Sequence, residues 1–216
     1  MKNVAVILSG AGYLDGSEIH EATLTLLALD RHHARVQCFA PDIAQTQVIN
    51  HATGEPSTEM RSVLAEAARI ARGAIKPLSQ AHVDDFDALI IPGGYGAARN
   101  LCDFATKGHD MTINPEVEIF ARSLHREGKP VGLICIAPVM APAIGGPGTR
   151  CTIGDDSATA NAIEHMGGVH VPCAVTDCVI DAERKVVSTP AYMLADRISQ
   201  AETGINKLVE AVLAMA

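Results

Sequence analysis

Positive charge is in short supply: 17 Lys and Arg stand against 25 Asp and Glu, a net charge of −8. That balance argues against nucleic acid or an anionic membrane surface as a partner, since both demand clustered Lys and Arg. No apolar run approaches the roughly 20 residues of a membrane span. No linker, repeat or low-complexity tract interrupts residues 1–216, so one domain is expected, and a chain of this length buries roughly 70% of its unfolded surface without staples. Met1 to Ser9 is too short for a signal peptide and passes directly into glycine and acid, which reads as the first strand of a cytoplasmic protein. In that setting the six cysteines are expected as reduced thiols. Neither CxxC nor His-x-x-x-His accompanies Cys173 and Cys178, so no metal site is expected.

What the chain has is 48% apolar and 19% charged residues, a globular balance, and one stretch around which the rest is organised. In Pro130-Val-Gly-Leu-Ile-Cys-Ile-Ala-Pro138, the run Val131 to Ile134 suits a buried parallel strand. Cys135 stands where that strand ends, and Pro138 suits the first turn of a helix. A residue on such a strand-to-helix turn is pushed toward a cleft, and a nearby helix N-terminus favours negative charge. Cys135 is therefore expected as a thiolate.

The remaining pattern alternates strand and helix. Asn3 to Leu8 and Arg35 to Ala40 read as strands, with a helix from Ser17 (as N-cap) to about His33 between them, carrying Leu24, Leu27 and Ala28 on one face. Gly10, Gly12 and Gly16 have the wrong spacing for a dinucleotide fingerprint. Gln45 to Pro56 is polar with strong turn signals and suggests an excursion or hairpin over the cleft, from which His51 could reach a ligand. Ser57 to Arg72 reads as an amphipathic helix and Ala88 to Ile91 as a buried strand. The Pro92-Gly-Gly94 turn after it frees the Gly93 and Gly94 N–H groups to join that of Ile136 as an oxyanion hole. Residues 101–112 read as an irregular loop, and Pro115 to Glu127 as a helix after Asn114. Arg150 to Ile153 is a short strand, and Asp155-Asp156-Ser157 caps a helix to Met166. Val169 to Val171, Ala174 to Ile180 and Lys185 to Ser188 are short β additions at a sheet edge, and Thr203-Gly204 opens the last helix. In a parallel sheet all strand C-termini share one edge, so Glu18 and Cys135 can meet there.

Cys135 on its elbow, Pro92-Gly-Gly94 and Glu18 together resemble the ThiJ/PfpI superfamily, which shares the fold of class I glutamine amidotransferases. Longer stretches resemble its ElbB (enhancing lycopene biosynthesis) branch: Ser9-Gly-Ala-Gly-Tyr-Leu-Asp-Gly-Ser-Glu-Ile-His-Glu21, Asn50-His51-x-Thr53-Gly54-Glu55, Pro92-Gly-Gly-Tyr-Gly-Ala-Ala-Arg-Asn-Leu101 and Cys135-Ile-Ala-Pro138. The resemblance implies a three-layer α/β sandwich: a flavodoxin-like, mostly parallel sheet of six or seven strands, helices on both faces and a nucleophile elbow. It also implies a homodimer and glutathione-independent glyoxalase activity, glyoxal to glycolate, with no cofactor. Cys135 would add to a small aldehyde, with Gly94 and Ile136 as backbone donors and Glu18 as general acid/base. His51, Gly93, Tyr95 and Asn100 are the pocket candidates.

One departure matters. Related peptidases carry a histidine directly after the cysteine, where this chain has Ile136, and no late His-x-Glu or His-x-Asp pair replaces it. His165 and His170 are left as candidate partners. Without a leaving-group proton donor, peptide and glutamine hydrolysis become poor readings. A redox-sensing or regulatory role for the same cysteine is the competing expectation.

Overall fold

A computed structural model describes all 216 residues. β1 (Asn3–Ile7), α1 (Ile19–Arg31) and β2 (Arg35–Ala40) open the chain. The polar excursion forms an antiparallel hairpin of β3 (Val48–Asn50) and β4 (Glu55–Ser57). Then come α2 (Val63–Ile70), β5 (Ile75–Pro77), β6 (Ala88–Ile91) and α3 (Phe104–Lys107). α4 (Pro115–Arg126), β7 (Val131–Ile134), α5 (Ala141–Gly145), β8 (Arg150–Cys151) and α6 (Ser157–His165) follow. β9 (Val169–His170), β10 (Val179–Asp181), β11 (Val186–Thr189) and α7 (Ile198–Met215) complete it.

Seven strands form one sheet in the order β10-β11-β7-β6-β1-β2-β5, parallel except where β10 pairs antiparallel with β11. Helices pack around it, so β6 and β7 are buried on both faces and read as unbroken aliphatic runs. α1 packs against α7, and α7 lies so close over β7 that a Cβ on Gly132 would sit 2.9 Å from Leu208. Forty-nine buried residues form a continuous core. Phe39, Phe86 and Phe120 meet within it, Phe39 edge-on to Phe86 at 5.5 Å. Each such burial is worth about 2–3 kcal/mol. This is the flavodoxin-like α/β fold that the family resemblance implied. The order of strand addition reverses between β1 and β6, the switch point at whose carboxyl side a crevice opens.

Several boundaries differ from the expectation. α1 is capped by Glu18 rather than Ser17, whose hydroxyl is taken by the Ser9 N–H at 2.8 Å. Leu27 faces outward, and Ala22, Thr25, Ala28 and Leu29 form the buried face. α2 starts after the cap Ser62, not at Ser57, because Glu55–Ser57 is committed to the hairpin. α7 begins at Ile198, so Gly204 is interior; it is needed there because a Cβ would lie 2.5 Å from the Val175 carbonyl. Residues 101–112 are not irregular: a π-turn, Ala97–Leu101, leads into α3 and a further 3-10 turn. β9 does not join the main sheet edge but pairs with β8 in a ribbon of its own.

Candidate active site

Three strand-end loops meet at the crevice. Cys135 follows β7 with φ of 62°, a left-handed conformation that costs a non-glycine residue about 1–2 kcal/mol. It is held there by its own N–H, which donates to the Thr189 carbonyl at 2.9 Å. The Gly94 and Ile136 N–H groups face its sulfur and favour its charged form. Gly93 has to be glycine: a Cβ there would collide with the Cys135 Cβ and lie 2.7 Å from Glu21 Oε2.

The acid beside the cysteine is Glu21. It is fully buried, and its Oε2 and the Cys135 Cβ press on the same side of Gly93. Oε2 accepts the Gly93 N–H at 3.0 Å and Oε1 the Tyr192 N–H at 3.1 Å. Glu18, expected in this role, instead caps α1, its Oε2 accepting the Glu21 N–H at 2.7 Å, while its side chain lines the cavity. One helical turn separates the two acids.

Burial, reinforced by the Glu18 charge, pushes the Glu21 carboxyl up to about 8. Burial first, and the Glu21 carboxylate second, raise the Cys135 thiol well above its ordinary range, against the N–H bonds from Gly94 and Ile136. That direction runs against the thiolate expected at Cys135. Cys135 is only 7% exposed.

A cavity of about 520 Å³ opens above this pair. Of the six cysteines only Cys135 lines it. Tyr95 lines it as expected, together with Gly94 and Ile136. Other pocket candidates serve elsewhere. The Gly93 N–H is taken by Glu21. Asn100 is buried, donating to the Ser9 and Asp15 carbonyls and accepting the Thr46 N–H. His51 props the loop after β1, its Nε2 accepting the Leu14 N–H at 3.2 Å, and does not line the cavity. His165 bonds the Asn161 carbonyl and His170 accepts the Ile153 N–H; no histidine lines the cavity. No group of three or more His, Cys, Asp or Glu side chains is placed to hold a metal ion.

Sequence reasoning named Tyr95 but missed the rest of the aromatic lining. All three tyrosines, Tyr13, Tyr95 and Tyr192, line the cavity with Phe104, while the other three phenylalanines fill the core. In a chain with 3% aromatic residues and no tryptophan, three tyrosines in Gly- or Pro-containing loops were the available signal.

A mostly parallel sheet with a strained cysteine at its carboxyl edge defines the class: the fold of glutamine amidotransferase-like and DJ-1/ThiJ/PfpI proteins. A DJ-1 superfamily protein from Salmonella typhimurium shares that fold at a TM-score of 0.56 and 24% identity. No family model matches the chain. The rat ES1 protein homolog and the human glutamine amidotransferase-like class 1 domain-containing protein 3 are each 44% identical over 220 residues, covering 97% of this chain and 82% of theirs. An Ehrlichia chaffeensis crystal structure, of an isoprenoid biosynthesis protein with an amidotransferase-like domain, is 40% identical with a TM-score of 0.93, covering 100% of this chain and 99% of that one. The chain belongs to the ES1 family of glutamine amidotransferase-like class 1 proteins. Both mammalian relatives are named as mitochondrial, unlike the cytoplasmic setting expected above; no helix here is long and apolar enough to cross a membrane.

Proposed function

We propose that this protein is a glutathione-independent glyoxalase of the ElbB branch, converting glyoxal and other small α-oxoaldehydes to 2-hydroxy acids. The branch assignment rests on the motifs quoted above and is supported by the isoprenoid-biosynthesis name of the Ehrlichia relative. The observation that carries the activity is Cys135 lining the cavity with the buried Glu21 carboxyl directly beside it.

The chemistry follows from those groups. The Cys135 sulfur adds to the aldehyde carbon while its proton leaves through the Glu21 carboxylate, giving a hemithioacetal. The developing oxyanion takes up the Gly94 and Ile136 N–H groups that face the sulfur in the free protein. Glu21 then removes the proton from the former aldehyde carbon and returns one to the neighbouring carbon, so that ketone becomes alcohol and hemithioacetal becomes thioester. Water cleaves the carbon–sulfur bond, releasing a 2-hydroxycarboxylate and the thiol. Overall, one α-oxoaldehyde and one water give one 2-hydroxycarboxylate and one proton. Glu18 contributes by holding the Glu21 proton affinity up.

The raised, buried thiol counts against a redox sensor, which needs an exposed thiolate. The absence of a cavity histidine counts against glutamine hydrolysis, and no ammonia from glutamine is expected. Glyoxal turnover is the test: Cys135→Ala abolishes it and Cys173→Ala preserves it, whereas an active Cys135 variant rejects the reading.

A further inference from the structure

Arg99 is the only cationic side chain lining the cavity. It stands on the π-turn after the glycine loop, where its Nη1 donates to Gln47 Oε1 at 2.5 Å and the Leu14 carbonyl at 3.3 Å. Its guanidinium carbon lies 5.2 Å from the centre of the Tyr95 ring. Two neutral acceptors and one aromatic face therefore fix its plane while using a single nitrogen. It enters none of the chain's ion pairs. The carboxylates that share the cavity are engaged elsewhere: Glu18 caps α1 and Asp156 caps α6, accepting the Thr159 N–H at 2.8 Å. A positioned guanidinium with donors to spare, and no anion to meet them, has no use for neutral glyoxal.

We propose that Arg99 determines substrate specificity and that the preferred substrate is an α-oxoaldehyde carrying an anionic group. Resting on the glyoxalase reading, this deepens it by naming the substrate class. The anionic end binds the free edge of the guanidinium, in the two-point geometry that arginine offers a carboxylate or phosphate. The aldehyde end then reaches Cys135, and the reaction balances as before with Arg99 outside the proton transfers.

The test compares methylglyoxal with 4,5-dioxopentanoate, an α-oxoaldehyde ending in a carboxylate. The wild-type protein should favour the anionic substrate in kcat/KM by about tenfold or more, the worth of a hydrogen bond to a charged group. Arg99→Gln should lower kcat/KM for 4,5-dioxopentanoate at least about tenfold more than for methylglyoxal, mainly through KM, and Arg99→Lys should recover part of the difference. Equal losses on both substrates, or a wild type without preference, overturn the proposal. Calorimetric binding of 4-oxopentanoate, a carboxylate without an aldehyde, separates the two readings. If no aldehyde is turned over, the glyoxalase reading fails. Weaker binding to Arg99→Gln than to wild type still upholds the anion site, and equal binding rejects it.

Discussion

Glycine does different work at the two ends of the sheet. At the amino end, Gly128 turns the chain from α4 into β7 with φ of 72°, and a Cβ there would meet nothing within 4 Å. At the carboxyl end, Gly93 sits where a Cβ would strike Cys135 and crowd both Glu21 and the Ile134 carbonyl at 2.8 Å. The first glycine is required by backbone conformation alone, the second by the proximity of reacting groups. Gly16 and Gly96 belong with the second, their backbones pressed together so that the loop after β1 seats against the loop after β6. Stability can be tuned at the amino end, whereas a change at Gly93 bears on the reacting groups.

The largest effect expected is from Gly93→Ala. Pushing the Cys135 and Glu21 side chains apart should lower glyoxal turnover by at least about a hundredfold, the scale of a lost general base, while circular dichroism still reports a folded sheet. Full activity in that variant would erase the distinction between the two ends.

Glu21→Gln comes next and sharpens the comparison through pH. The folded carboxyl holds its proton to about 8, against an ordinary 4.5. Between those values the folded state binds more protons than the unfolded one, so stability falls as pH rises through that window. Removing the group removes the slope. The variant's melting temperature relative to wild type should climb from pH 5 to pH 8, by an amount worth no more than about 4 kcal/mol. Wild-type kcat/KM should rise with pH toward about 8, as the carboxylate form of Glu21 appears, and the variant should be flat and slow. The smallest effect is expected for Gly128→Ala, a loss of about 1 kcal/mol from strained backbone, read as a few degrees in Tm with turnover unchanged.

Much of the fold was legible because buried parallel strands are written as aliphatic runs. Val131–Ile134 and Ala88–Ile91 were found to the residue, and the Asn114 cap with Pro115 marked α4. The elbow cysteine was legible from its position alone. The identity of its acid was not, because Glu18 and Glu21 both fall in the first turn of α1 and only the true cap decides which one turns inward. Ser17 looked like the better cap, but Ser9 claims it, a contact between residues that no local pattern joins. The thiol's burial was not legible for a similar reason. Local sequence announces a turn, but not how far the Gly93 and Tyr192 loops close over the sulfur. His51 and Asn100 looked like ligands because they are polar and sit in loops, yet their partners are backbone groups of the segment from Leu14 to Thr46 and beyond.

Glu21 is also a knot. Its two oxygens tie the start of α1 to the turn after β6 and to the turn after β11, where Ala191 is itself held at φ of 43°. Segments more than 70 and 170 residues away in the chain thus answer to one carboxyl. Ionising it tightens both bonds and returning its proton slackens one. One protonation site thus joins three loops of the cavity's frame.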